Sequence, residues 1–297
     1  MGRAPFSPSF VRPAAFAGRF YPGSPEACAQ MAAECLRGAA APPAVGAVVP
    51  HAGWVYSGAV AAKSLAGIAA FRPDTVVIFG AVHGLDRNRA SLWPRGAWQT
   101  PLGELEVDED LARRFAEDAA IVSDLDAHRY EHSIEVQLPL LKRLLPDVRI
   151  VPIGVRPGLD AAEIGRVCAD KAGDYDRRVA WVGSTDLTHY GPAFGFEPYG
   201  RGAAGVRWAK EVNDRRFIAL VQQLQAEALV AEAAEHHNAC GPGAIAALLA
   251  AMRAIRATRY TELEHTCSAD VKLGADADRA DSVGYEAGVF LAPERFT

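Results

Sequence analysis

Residues 179–191 read VAWVGSTDLTHYG. The first five form an apolar run broken only by glycine, as expected of a strand covered on both faces; a half-solvated strand would alternate. Polar residues follow at once, with Asp186 and His189 ahead of Gly191. Three more runs have this character: 46–50 (GAVVP), 75–80 (TVVIFG) and 148–155 (VRIVPIGV). Helical patterns lie between them. Ser24 and Pro25 make an N-cap and first-turn pair for a helix to about 37. Residues 58–70 are Ala-rich, and Asp108 caps a stretch through 118. Residues 133–145 are amphipathic, with Pro139 expected to kink them. Further helices are expected near 159–172, 203–225 and 241–257, and two late strands at 260–271 and 282–291. This alternation predicts an α/β protein: a single three-layer α/β/α domain over 1–297 with a mostly parallel central sheet.

In open α/β sheets ligands bind beyond the carboxyl ends of the strands. The run at 46–50 leads into His51 (PHAGWVYSG), the run at 75–80 into His83 (AVHG), and the run at 179–183 into Asp186 and His189. One histidine on a strand-end loop needs no explanation. Three on the same edge, flanked by glycines at 53, 80, 84 and 191, predict a site. Neutral imidazole is the commonest metal ligand, and histidines from separate strands can form an open shell for iron, copper or zinc.

Cys240 lies in HHNACGPGAI, just before a strong helical pattern with Pro242 in its first turn. A helix N-terminus favours thiolate, so the expectation is a lowered pKa and a role as ligand or nucleophile. Cys28, Cys35, Cys168 and Cys267 read as small buried apolar residues. Asp186, three residues before His189, fits a group that orients a ligand or takes a proton. In YEHSIE (130–135), Glu131 and Glu135 read as helix-start carboxylates, and His132 is open to a second reading as an acid or base. His236 and His237 read as solvent-facing, and His128 and His265 carry no supporting context.

Composition narrows the classes. The chain has 297 residues, half of them hydrophobic, and a net charge of −5. That is a globular balance, and the scattered basic residues argue against nucleic acid. No apolar run approaches the roughly 20 residues of a membrane span. The start, MGRAPFSPSF, lacks the apolar core of a secretory signal, and Phe6 breaks the myristoylation pattern. Five cysteines with no CxxC imply reduced thiols and a cytoplasmic protein. GxGxxG after a strand, Walker A, GxSxG and HExxH are all absent.

The chain resembles the Memo-like proteins, also called AmmeMemoRadiSam system protein B. The resemblance rests on AGRFYPG (17–23), PHAGWVYSG (50–58), the strand ending in His83, TPLGELEVD (100–108) and EHSIEVQLPLL (131–141). It continues through STDLTHYG (184–191), NACGPGAI (238–245) and DSVGYEAG (281–288). It implies a fold like that of the class III extradiol dioxygenases, with His51, His83 and Cys240 lining a metal pocket and His189 and Asp186 beside it. It also favours a pocket role for His132. Two departures stand out. Gly80-Ala81-Val82-His83 replaces the Gly-Pro-Ser-His or Gly-Pro-Asn-His of many relatives, and a thiol stands where ring-cleaving dioxygenases use a carboxylate. The expected function is a non-haem iron(II) or copper redox enzyme, dioxygenase-like, with zinc a further metal and the substrate an unknown small molecule. A Cys240-dependent hydrolase and a non-enzymatic phosphopeptide-binding module are the alternatives. The family name implies radical-SAM system partners, and nothing in the sequence fixes an oligomeric state.

Overall fold

The computed structural model describes residues 10–84, 87–271 and 281–293. The start read as MGRAPFSPSF, up to Ser9, and part of the loop after His83 (Leu85 and Asp86) lie outside them.

Two sheets are present among the described residues. The larger contains β2 (Ala44–Val49), β3 (Thr75–Gly80), β4 (Ala90–Leu92), β7 (Ile121–Ser123), β8 (Arg149–Val155), β9 (Val179–Ser184), β10 (His189–Tyr190), β11 (Tyr260–Cys267) and β12 (Ser282–Leu291). Its order is β10-β12-β2-β9-β3-β8-β4-β7, with β11 also paired to β12. The four strands β2, β9, β3 and β8 run parallel, as the unbroken apolar runs predict. Away from this centre the expectation of a mostly parallel sheet gives way to a mixed one. β12 is antiparallel to β2, β10 and β11, and β4 is antiparallel to β8. A smaller sheet, not foreseen, joins β1 (Val11–Arg12), β5 (Ala97–Thr100) and β6 (Gly103–Glu106). Strands this short carry too few residues for a periodic signal.

Helices cover both faces. α1 (Pro25–Cys35), α2 (Trp54–Phe71) and α4 (Leu138–Leu144) pack together on one side. α3 (Glu109–Phe115), α5 (Ala161–Lys171) and α9 (Pro242–Ala254) lie on the other, where α9 crosses β9, β3 and β8. Two helices at the end of that layer, α7 (Asp214–Gln222) and α8 (Leu229–His236), follow α6 (Ala203–Trp208). The local signals act as read: the Ser24 side chain accepts from Ala27 N–H, and the Asp108 side chain from Leu111 N–H. Pro139 starts α4 instead of kinking a longer helix, because a proline needs no amide partner in a first turn. The single helix expected over 203–225 is interrupted by a wide turn at Ala209–Asn213.

The core runs along the central strands, with Val48, Ile78, Ile150 and Val182 fully buried. α5 and α9 meet so closely that a Cβ on Gly165 would lie 1.8 Å from the Ala247 carbonyl oxygen. α2 is long and apolar enough to pass a length-and-composition test for a membrane span, against the sequence reading. Most of it is buried inside the protein, which is what a core helix requires.

Candidate metal centre

β2, β9 and β3 are neighbours and parallel, so their carboxyl ends open side by side. β2 runs into His51 just before α2, β3 into His83, and β9 into Ser184 and the loop that holds Asp186 and His189. Three segments distant in sequence thereby converge. They face a cavity of about 560 Å³ lined by His51, His83, His132, Asp186 and His189. Its other walls include Phe20, Tyr56, Phe194 and Tyr285.

His51 is 1% exposed and stands at the centre. Its Nδ1 lies 2.8 Å from Ser184 Oγ, whose own proton goes to the Ser133 carbonyl at 3.0 Å. The hydroxyl has no second proton, so His51 Nδ1 must be the donor. The lone pair is therefore on Nε2. That atom lies 3.0 Å from Cys240 Sγ and can accept its S–H. Burial, aided by the neighbouring His83, drives the His51 pKa well below the ordinary value, so the ring is neutral. A neutral imidazole with a fixed tautomer is the form in which histidine ligates a metal.

His83 is oriented by a carboxylate. Glu131 accepts the His83 backbone N–H at 2.9 Å and faces its Nδ1 at 3.1 Å. Burial alone would lower the His83 pKa, but the hydrogen bond and charge of Glu131 outweigh it and the net shift is upward. Burial alone would likewise raise Glu131. The bond and charge of His83, with the amides of His83 and Ser133, hold it far below the carboxylate range. A carboxylate behind a histidine is the usual support of a metal-ligating imidazole. The sequence suggested only a helix-start role for Glu131; its adjacency to His132 was the available hint. Glu135, read the same way, is fully buried and pairs with Arg12 at 2.5 Å.

His132 stacks on His83, with ring centroids 4.6 Å apart, and packs at a tilt against Phe20 at 4.4 Å. Burial and the charge of His83 push its pKa down to about 4. Asp186 is 4% exposed and accepts the backbone N–H groups of His51 and Ala52 at 2.7 and 3.2 Å. Burial nevertheless raises its pKa, against the pull of His189 and those two amides. His189 Nδ1 bonds the Leu187 carbonyl at 3.0 Å, which turns Nε2 outward from the loop.

Among the described residues, two sets of three have donor atoms all within 4.8 Å of one another: His51, His83 and His132, and His51, Asp186 and Cys240. His51 belongs to both. The anticipated ligands His51, His83 and Cys240 thus straddle the two sets. Cys240 brings a correction. Its thiol was expected to be acidified by the helix that follows. Burial, then the neighbouring charge of Asp186, instead raises its pKa far above the ordinary value, although the Asp186 amide lies 3.3 Å from Sγ. Desolvation of a thiolate outweighs the partial charge of a helix end. The other thiols, Cys28, Cys35, Cys168 and Cys267, are buried as expected. Of the remaining histidines, His128 is buried and bonds the Ser91 carbonyl at 2.8 Å, and His236 lies beside Glu232 and Arg216.

The fold and the site define the chain as an α/β protein with an imidazole and thiol cluster at the carboxyl edge of its parallel strands. It belongs to the Memo-like family: the family profile, described as Memo-like protein, matches residues 12–289. A MEMO1 family protein of Thermococcus onnurineus is 36% identical over 295 residues, covering 94% of this chain and 99% of its own. One from Methanopyrus kandleri is 34% identical, covering 94% and 98%. One from Methanosarcina barkeri is 36% identical, covering 93% and 98%. The crystal structure of an uncharacterized protein from Escherichia coli K12 aligns with a TM-score of 0.41 at 16% identity, over 73% of this chain and 86% of that one.

Proposed function

We propose that the chain is a metal-dependent redox protein that holds iron(II) or copper at His51, with His83 and Cys240 as further ligands, and acts on a small molecule in the adjoining cavity. The observation that carries this reading is the state of His51. Its Nδ1 proton is committed to Ser184, and its Nε2 lone pair faces a thiol and two further imidazoles. The donor set fits such an ion. Imidazole with thiolate suits copper, iron and zinc better than magnesium or calcium. A bound cation would also oppose the burial penalty on the Cys240 thiolate. When bound, iron or copper supplies Lewis acidity and one-electron chemistry; zinc would supply only the first.

The chain's own groups do the rest. Ser184 and Glu131 fix the rings of His51 and His83. Neutral His132, whose protonation burial and His83 oppose, offers a hydrogen-bonding ring at the cavity wall. Asp186 and His189, on one loop, hold or pass a proton beside the substrate. Phe20, Tyr56 and Phe194 give the cavity apolar walls. The radical-SAM partners implied by the family name, and a cytoplasmic location, belong to this same proposal.

The test is metal content by mass spectrometry, on untagged protein reconstituted anaerobically with iron, copper and zinc in competition. Near-stoichiometric iron or copper, lost in His51→Ala and in Cys240→Ser, is the expected result. Folded wild-type protein that retains no metal, or a His51→Ala variant with unchanged content, refutes the reading.

A further inference from the structure

Beneath the loop that carries Asp186 and His189 lies a buried histidine–carboxyl hydrogen bond that the proposed chemistry does not use. His265 of β11 and Asp214 at the start of α7 meet at 2.9 Å, with side chains 2% and 1% exposed. The His265 bond goes to Asp214 Oδ2. The other oxygen, Oδ1, accepts the backbone N–H of Thr188 at 3.0 Å.

Thr188 is held on every polar group. Its carbonyl accepts Gly284 N–H at 3.0 Å, and its hydroxyl lies 3.1 Å from the Asn213 amide nitrogen, which donates to it. One residue back, Leu187 N–H donates to the Gly284 carbonyl at 2.8 Å. The Leu187 carbonyl is in turn the acceptor for His189 Nδ1. A short chain of bonds thus runs from Asp214 to the His189 ring. Gly284 completes it by omission. A Cβ there would lie 2.2 Å from Asp214 Oδ2, so the carboxylate occupies the space where a side chain would begin.

A buried polar pair is a weak stabiliser compared with apolar side chains of the same volume. Its value here is geometric. It supplies a fixed acceptor for an amide two residues from Asp186 and next to His189. We propose that Asp214, oriented by His265, is a positioning residue for the candidate site: it fixes the 186–189 loop so that His189 keeps its proton on Nδ1 and presents Nε2 to the cavity. The inference rests on the cavity being the functional site, as proposed above, but not on any metal.

The experiment is nitrogen-15 NMR of histidine-labelled protein at mildly alkaline pH, with His189→Ala assigning the His189 signals. The wild type should show one tautomer at His189, protonated on Nδ1. Asp214→Ala should convert it to a mixture. Asp214→Asn, which retains the Oδ1 acceptor, should restore the single form. Gly284→Ala should reproduce the Asp214→Ala spectrum by displacing the carboxylate. A merely structural pair would lower the melting temperature and leave the His189 signal unchanged, and that result overturns the proposal. Should Asp214→Ala not fold, amide exchange in the wild type decides the matter. Thr188 N–H must then be as protected as the core strands, and rapid exchange there refutes the clamp. Absence of metal from the wild type would remove the metal reading without touching this one.

Discussion

Glu286 should make the protein less stable as pH rises, and the size of the effect follows from its setting. The side chain is fully buried on β12, opposite His265. The Tyr260 hydroxyl donates to Oε1, and Oε2 has no hydrogen-bond partner among the described residues. Burial raises the pKa from 4.5 to about 8, against the Tyr260 bond and with a contribution from Glu262. The folded state therefore binds a proton that the unfolded chain releases. This stability is fully present below pH 4.5 and is lost as pH rises through about 8. Each unit between the two pKa values is worth about 1.4 kcal/mol, so the ceiling is roughly 5 kcal/mol. Glu286→Gln keeps an acceptor for Tyr260 and cannot titrate. Its unpartnered amide adds a cost of about 1–3 kcal/mol that does not depend on pH. Urea denaturation of both proteins, followed by circular dichroism at several pH values between the two pKa values and beyond, separates these terms. The wild type should lose stability relative to the variant by about 1.4 kcal/mol per pH unit over that interval, then level off. Parallel curves would show that the carboxyl is already ionised in the folded protein, and would refute the burial argument.

Ser184→Ala removes the acceptor that sets the His51 tautomer, and Glu131→Gln the carboxylate that orients His83. Each should weaken metal binding by about 10- to 100-fold, read by chelator competition on folded protein. Breaking the buried pair by Glu135→Ala leaves Arg12, 2% exposed over the Trp98 ring, with backbone carbonyls but no counter-charge, and should cost about 3–5 kcal/mol in a denaturation curve. Gly165→Ala forces α5 away from the Ala247 carbonyl and should cost about 1–3 kcal/mol, seen as a lower melting temperature. Cys240 in metal-free protein should resist iodoacetamide at neutral pH, because burial holds its thiol protonated; rapid single-site alkylation would contradict that assignment.

The elements legible in the sequence are those whose signal is local. β2, β3, β8 and β9 follow from unbroken apolar runs, because a strand buried on both faces must be apolar at every position. α1 and α3 follow from caps that act within three residues. The parallel order of these strands places their carboxyl ends together, so His51, His83, Asp186 and His189 could be named as one site from the chain alone. Local reasoning fails where an interaction joins distant segments. Glu131 lies 48 residues from His83, and Arg12 lies 123 from Glu135. No spacing rule couples such positions, since loop closure is set by the fold. The same holds for Cys240, where a correct local argument about a helix end is overridden by burial against Asp186 and His51. Residue type and hydrophobic period thus determined the four central parallel strands and which histidines their ends carry. Which nitrogen is free, which carboxylate is charged and which thiol is desolvated were decided only by packing, because protonation responds to the dielectric and charges of every segment that surrounds a group.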